Sequence, residues 1–466
     1  MHVKVLIIVC CINLCVREKL LRDAWALAIE TLCWIELKGL SERLALVKAS
    51  KQLGIQGPNT IGLAHKLVLE TVRRQNFIDY MINSLLKPNS INDFHPSNLA
   101  FLRLYTYETK IRGNNGYERA VSIAGIGRSV LGWRRLKEVE KVLGPLLSLK
   151  PQQVLEGSDD AEKVSLQMFQ PFWFVKYCFK LFGRHEALHI FESTLSNTPT
   201  YIRVNTLKMT EEELLKKISC EGIILEKVER LLHTYKVIKN KQPLVRTSSF
   251  SNGLFYIQDK ASCLAAAVAA PKTGMTVLDV CAAPGAKTTY LAQLMENRGK
   301  IFSVDYSKRR TRIWKREIER MGVKIAMPII GDAYNPLPFH KVEADLVILD
   351  PPCTSTGVFS RTPSAKWRLS KRSIRKMAAI QWEMLNNCAE LVKKGGSLVY
   401  STCSITTEEN EVLIERFLKW NSEFALVETK PRIGLPGLRG QTCSQRLYPH
   451  IHESNGFFIA KLVKQA

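Results

Sequence analysis

From residue 17 to about residue 150, apolar side chains recur at three- and four-residue steps, a spacing that predicts helices throughout. Leu20, Ala24, Leu27, Ala28 and Leu32 mark one buried helix face, and similar stripes follow at 44–49, 63–72 and 99–105. Gly54, Gly57–Pro58 and Pro88–Asn89 punctuate them as turns. This region, 17–150, is expected to be an all-helical domain. Ahead of it, Val3 to Val16 is mostly apolar but interrupted by Lys4 and Asn13. That run is too short to cross a bilayer as a helix and carries no clear cleavage site, so residues 1–16 are expected to be a buried or extraneous leader.

A polar stretch near 157–162 reads as a linker, and the period changes beyond it. Helical patterns at 172–182 and 212–218 alternate with β-rich runs at 201–205 and 222–225, predicting a small α/β domain over 163–252. Over 253–466, strands are predicted at 276–280, 300–305, 327–331, 344–350 and 397–401, with helices between them. Such alternation predicts a Rossmann-like α/β fold, a parallel-dominated sheet covered on both faces. Two last β-rich runs, 424–427 and 456–462, are expected to close the sheet antiparallel.

Composition adds a partner. The 466 residues suffice for two or three domains, and 46% apolar with 24% charged residues describes a globular chain. The formal net charge of +24 exceeds what solubility needs and attracts polyanions, nucleic acid above all. Arg128, Arg134, Arg135, Lys137 and Lys141 cluster late in the helical region, as a solvated face or an RNA-facing one. Arg361 to Lys376 carries seven basic residues around Trp367, which could stack on an unpaired base. The basic run 308–320 reads instead as the exposed face of a helix behind the sheet. None of the twelve cysteines forms a C-x-x-C pair, so no metal site is expected; reduced thiols and a cytoplasmic setting fit a chain of this size.

The most informative segment is Val277-Leu-Asp-Val-Cys-Ala-Ala-Pro-Gly-Ala-Lys-Thr-Thr289, a hydrophobic strand ending in a small-residue loop, with a helix expected near Thr288. Small residues let backbone approach a ligand, and a helix N-terminus offers free N–H groups. The loop is neither a Walker A sequence nor G-x-G-x-x-G, which disfavours ATP and nicotinamide cofactors. Asp305, ending the next strand, is placed to accept from a ribose diol, and Gly331-Asp332-Ala333 to reach an adenine edge. In order on one sheet edge, these acids favour a nucleoside cofactor.

Two cysteines then follow two strands. The fourth strand runs into Asp350-Pro-Pro-Cys353-Thr354 and the fifth into Thr402-Cys403-Ser404, which brings Asp350, Cys353 and Cys403 to one edge beside the cofactor loop. Amino-group methyltransferases commonly carry an aromatic residue after the paired prolines; a cysteine there implies different chemistry. Carbon-5 of cytosine is a poor nucleophile until a thiolate adds to carbon-6, while an acid near ring nitrogen 3 stabilises the developing charge. A helix N-terminus, with Thr406 and Glu409 as its capping box, and the many basic residues are expected to lower a thiol pKa. Cys178, Cys263 and Cys388 read as ordinary buried residues. Spacing alone does not say which of Cys353 and Cys403 attacks.

With these residues the chain resembles the Sun (Fmu, or nucleolar-protein) family of RNA cytosine-carbon-5 methyltransferases. The resemblance runs from about Pro171 to the C-terminus through Arg203-Val-Asn-Thr-Leu-Lys208, Gln258-Asp-Lys-Ala-Ser262, the loop above, Asp350-Pro-Pro-Cys353, Thr402-Cys-Ser404 and Asn455-Gly-Phe-Phe458. The helical region is similar to the NusB-like RNA-binding domain of some members. The resemblance implies that S-adenosylmethionine is held by Cys281, Ala282, Ala283, Pro284, Gly285, Ala286, Lys287, Asp305, Asp332 and Asp350. It implies Cys403 as nucleophile, with Cys353 assisting product release and Asp350 completing the catalytic set. Ala286 stands where a second glycine is common, and Asn455 where aspartate is common. The expected substrate is ribosomal RNA, with transfer RNA the alternative, acted on by a monomer needing neither membrane nor obligate protein partner. A catalytically silent RNA-binding or assembly factor is the reading of another class, and a DNA cytosine methyltransferase the rival among enzymes.

Overall fold

The computed structural model describes residues 2–86, 88–113, 117–150, 159–335 and 343–465, with residues 2–16 described by their backbone alone. By contacts the chain divides into two compact units, Met1–Ser196 with Phe359–Arg368, and Asn197–Val358 with Leu369–Ala466.

The first unit is helical, as the stripes predict. His2–Lys38 is one continuous helix, so the backbone of the expected leader runs on into the first amphipathic face. Glu42–Leu53, Pro58–Arg73 and Pro96–Thr106 carry the next stripes. Gly54 ends one helix in the left-handed conformation and Pro58 starts the next at its first turn, where a missing N–H costs nothing. Trp25, Leu27, Ala28, Leu67, Val68, Phe101, Leu104 and Leu136 form a single buried core. Inside it the buried Arg103 guanidinium meets Asp79 at 2.7 Å and Glu36 at 2.9 Å, so the charge is paired rather than stranded. Arg128, Arg134, Arg135, Lys137 and Lys141 are exposed, and Arg128 lies over the exposed Trp133 ring at 4.7 Å.

The boundaries differ from the expected ones. Of the linker at 157–162, residues 157 and 158 lie outside the described residues; Asp159 caps the helix Asp160–Gln167 by accepting from the Glu162 amide at 2.6 Å. That helix, Phe172–Phe182 and Arg184–Ser193 all belong to the helical unit. Asn76 fixes them there, donating to the carbonyls of Ser165 at 2.8 Å and Gln170 at 3.1 Å.

Phe359–Arg368 also belongs to this unit, and this corrects the reading of Trp367. Its indole is partly buried and donates to the Val72 carbonyl at 2.7 Å, so it is not a free stacking platform. Neighbouring Lys366 is wholly buried and donates to the carbonyls of Arg73 at 3.0 Å and Phe169 at 2.7 Å. Arg361 and Arg368 are exposed, and so are Lys371, Arg372, Arg375 and Lys376 along the helix Lys371–Ala389.

The second unit begins with a four-stranded antiparallel sheet of β1 (Tyr201–Val204), β2 (Ile223–Lys227), β3 (Thr234–Asn240) and β4 (Phe255–Ile257), in the order β2-β3-β1-β4. A nine-stranded sheet follows, made of β5 (Thr276–Val280), β6 (Lys300–Asp305), β7 (Ala326–Ile330), β8 (Ala344–Leu349), β9 (Val392–Thr402), β10 (Phe424–Val427), β11 (Leu435–Pro436), β12 (Gln445–Leu447) and β13 (Phe457–Lys464). Its order is β11-β12-β13-β9-β8-β5-β6-β7, with β10 beside β13. Strands β5 to β9 pair in parallel, and β13 runs antiparallel to β9 and β10, as expected of the last runs. Alternate residues feed opposite cores: Val277, Leu346 and Ile348 one, Leu278, Val347 and Leu349 the other. The strand order reverses at β5, which opens a crevice at the carboxyl ends of β5, β6 and β8. Among the described residues, no helix is long and apolar enough to cross a membrane.

Candidate functional site

That crevice holds a cavity of about 1060 Å³. Its walls are Cys281, Ala283 and Pro284 after β5, Asp305 and Tyr306 after β6, Asp332 and Tyr334 after β7, Asp350 to Cys353 after β8, and Cys403 after β9. Ile380, Glu383 and Met384 of the helix Lys371–Ala389 close the side.

The loop after β5 turns sharply, with Cys281 at φ +66° and Gly285 at φ +110°. At Gly285 a side chain would be strained by that φ and would press on Trp314 at 3.2 Å, which explains the glycine. The helix then starts at Ala286, earlier than the expected Thr288. Thr288 is used structurally: its hydroxyl donates to the buried Asp279 carboxylate at 2.5 Å and accepts from the Trp314 indole at 3.0 Å. Of the expected loop residues, Cys281, Ala283 and Pro284 line the cavity, whereas Ala282, Gly285 and Ala286 shape the turn without facing it. Asp305 is buried, and its carboxylate accepts from the amides of Ala283 at 3.2 Å and Ser307 at 3.1 Å. Asp332 is exposed at the rim and accepts from the Tyr334 amide at 3.0 Å.

The buried Lys287 forms an ion pair with the half-buried Asp350. Burial pulls its pKa down, but the Asp350 carboxylate outweighs burial and holds it above the usual lysine range. The ammonium therefore stays charged beside Cys403.

The Cys353 and Cys403 sulfurs are 3.0 Å apart and unlinked by a disulfide. The hydrogen bond to Cys403, then burial, then the negative charges of Cys403 and Glu409 push the Cys353 thiol well above its ordinary pKa. The expected helix terminus is absent at this point, since the helix after β9 begins only at Glu411 with Asn410 as its cap. Glu409 is no capping-box acid: it points back at the loops that carry the cysteines, accepting from the Thr354 amide at 2.8 Å and the Ser404 hydroxyl at 2.6 Å. Burial raises Cys178 well above its ordinary pKa, and Cys263 and Cys388 to about 12, consistent with inert core thiols.

Several motif residues support the site without facing it. Arg203, fully buried, donates to Gln258 Oε1 at 3.1 Å, to Thr289 Oγ1 at 2.7 Å and to Gln293, tying the small sheet to the helix after the cofactor loop. The Gly357 amide donates to the Cys403 carbonyl at 2.9 Å, and the Gly456 amide to the Gly357 carbonyl at 2.8 Å. A Cβ on Gly357 would fall 2.1 Å from the Gly456 carbonyl oxygen, so this close approach requires both to be glycine. Sequence spacing did not disclose Glu409 or the Lys287–Asp350 pair, because each joins segments distant in the chain.

The donor set fits a nucleoside cofactor with an apolar ring and a hydroxyl-rich sugar. Asp305 and Asp332 offer acceptors on one wall, Ile380 and Met384 give an apolar side, and the main chain of Ala283 and Pro284 is open to close approach.

Comparison with known proteins finds relatives along most of the chain. The family model described as 16S rRNA methyltransferase RsmB/F matches residues 266–463, and the NusB family model matches 22–124. The probable ribosomal RNA small subunit methyltransferase B of Bacillus subtilis is 30% identical over 94% of this chain and 98% of its own length. A tRNA (cytosine(72)-C(5))-methyltransferase of Pyrococcus horikoshii is 39% identical over 47% of this chain and 55% of its own. The crystal structure of PH0851 superposes with a TM-score of 0.82 at 30% identity, covering 95% of this chain and 99% of that one.

Proposed function

The chain belongs to the RsmB/F family of 16S rRNA methyltransferases, and on that premise we propose that it methylates carbon-5 of cytosine in small-subunit ribosomal RNA through a covalent adduct on Cys403. At the coarser level it is an S-adenosylmethionine-dependent RNA cytosine-carbon-5 methyltransferase. The observation that carries the mechanism is the pair of sulfurs 3.0 Å apart at the ends of adjacent parallel strands, beside the cavity.

Cys281, Ala283, Pro284, Asp305, Asp332 and Asp350 line the cavity and are the residues we assign to the cofactor, with Ala282, Gly285 and Ala286 holding the turn and Lys287 paired to Asp350. When bound, S-adenosylmethionine supplies an electrophilic methyl group. The chain's own residues do the rest. The Cys403 thiolate adds to carbon-6 of the base. Asp350 is assigned to ring nitrogen 3 as a relay that passes it a proton from the paired Lys287 ammonium, neutralising the negative charge that the addition builds there. Carbon-5, now nucleophilic, takes the methyl group; its proton then leaves to a base as the carbon–sulfur bond breaks. Cys353 stays a thiol beside Cys403 and is assigned to this release.

Similarity to the Bacillus subtilis protein along nearly its whole length supports ribosomal RNA over transfer RNA. The exposed cluster at Arg128, Trp133 and Arg134 supports RNA contact by the helical unit. Two reduced thiols at the site support a cytoplasmic location. Bisulfite sequencing of small-subunit ribosomal RNA and transfer RNA, with and without the gene, tests the substrate. Loss of a methylated cytosine in ribosomal RNA is expected; loss confined to transfer RNA overturns that part of the reading.

A further inference from the structure

The buried carboxylate of Glu409 has no place in the chemistry described above, yet it reaches both loops that carry the cysteines. Thr354 directly follows Cys353, and its amide donates to Glu409 Oε1 at 2.8 Å while its hydroxyl donates to Oε2. Ser404 directly follows Cys403, and its hydroxyl donates to Oε2 at 2.6 Å. Thr406 adds a donor to Oε2 at 2.8 Å. Gln381 donates to Oε1 at 3.0 Å and also to the Pro352 carbonyl at 2.9 Å. Glu409 is fully buried, and its main-chain carbonyl is itself fixed by the Tyr400 hydroxyl at 2.7 Å.

A carboxylate offers about four lone-pair sites; here Oε2 takes donors from both turns, and Oε1 from the Cys353 turn and Gln381. A bond to a charged acceptor is stronger than a neutral one, so the turns lose more by separating than neutral contacts would cost. From this geometry we infer that Glu409 is a positioning residue, setting the separation of the Cys353 and Cys403 sulfurs and so allowing the two thiols to act in sequence on one base. The inference rests on the reading of those cysteines as the reactive pair. It also accounts for a carboxylate that caps no helix. Its negative charge acts in the same direction as its geometry, because it helps hold Cys353 in the thiol form.

Two substitutions in the full-length protein separate reach from charge. Glu409→Asp keeps the charge but is one methylene too short to meet both turns. Glu409→Gln keeps the reach, with an amide that can donate to hydroxyls free to rotate. The sulfur geometry has a readout that needs neither RNA nor cofactor: diamide oxidises a close thiol pair to a disulfide while being reduced to the hydrazine, and mass spectrometry maps the new bond. We expect Glu409→Asp to form the Cys353–Cys403 disulfide at least ten-fold more slowly than the native protein. Its kcat for RNA methylation should fall at least ten-fold, with KM and cofactor affinity unchanged. Glu409→Gln should recover most of the disulfide rate, and its pH profile for methylation should shift to lower pH. Native-like disulfide rates and kcat in Glu409→Asp overturn the inference. So does a fall in melting temperature with loss of cofactor binding in both variants, which marks a general structural role. Should the native protein methylate no cytosine while the disulfide rates differ as stated, the functional reading fails and the positioning role stands.

Discussion

Trp367 donates its indole N–H to the main-chain carbonyl of Val72 at 2.7 Å across 295 positions of sequence. The bond fastens a segment that follows the Cys353 turn into the core of the helical unit, where Lys366 and the Ser364 amide find partners in Arg73 and Glu42. A tryptophan amid basic residues beside a catalytic turn invites assignment to RNA, but its hydrogen-bonding capacity is already spent on protein.

Trp367→Ala should therefore destabilise the fold and leave RNA binding intact. Losing a half-buried indole and its hydrogen bond costs about 2–3 kcal/mol, read as a lower melting temperature. RNA affinity of the folded fraction should not change. Were the ring stacked on a base, affinity would drop by roughly 1–3 kcal/mol, and a filter-binding titration distinguishes the two.

Asp305→Ala should weaken S-adenosylmethionine binding by about 1–3 kcal/mol, the cost of leaving buried polar groups without partners. The same carboxylate also accepts the Ala283 amide, so the loop loses a support along with the cofactor's acceptor. Asp305→Asn, which keeps an acceptor, should lose less. Calorimetry giving unchanged affinity for both variants removes Asp305 from the cofactor site.

What the sequence disclosed is what local pattern determines. Asp305, Cys353 and Cys403 each end or follow a hydrophobic run, so once the runs are strands these residues share an edge. The helical stripes at 44–49, 63–72 and 99–105 were equally local. Trp367 was misread because Val72, its partner, is remote in sequence. Glu409 was assigned to a helix cap from a short-range spacing that ignores Thr354, 55 positions away. The unit boundary at Ser196 also escaped composition, because it is set by bonds such as Asn76 to Ser165 rather than by a polar stretch.

Asp279 lies buried beneath the cofactor loop, and burial raises its carboxyl to about 7 against the opposing pull of Thr288. An unfolded aspartate titrates near ~3.9, so between about pH 4 and 7 the folded protein binds more protons than the unfolded one. Stability from this group is fully present below that window and is lost as pH rises through it, by an amount approaching roughly 4 kcal/mol. Asp279→Asn removes the titration, so its urea-unfolding free energy should fall less between pH 5 and 8 than that of the native protein. Parallel curves would mean that Asp279 does not titrate in that range.

Only one of the two sulfurs that touch at the end of the sheet can form the bond to carbon-6. If Cys403 attacks, Cys403→Ala abolishes both adduct and product. Cys353→Ala leaves attack and methyl transfer possible but slows the elimination that frees the RNA. A covalent protein–RNA complex should therefore accumulate in that variant, running as a retarded band on a denaturing gel with cytosine-containing RNA and cofactor. The hydrogen bond to Cys403 and burial both oppose ionisation of Cys353, which suits a sulfur that stays protonated through the attack. The retarded band should vanish in the Cys353→Ala, Cys403→Ala double variant, because both sulfurs at the strand ends are then gone. If the band instead forms with Cys403→Ala and not with Cys353→Ala, the roles are exchanged, and the cysteine after the paired prolines is the nucleophile.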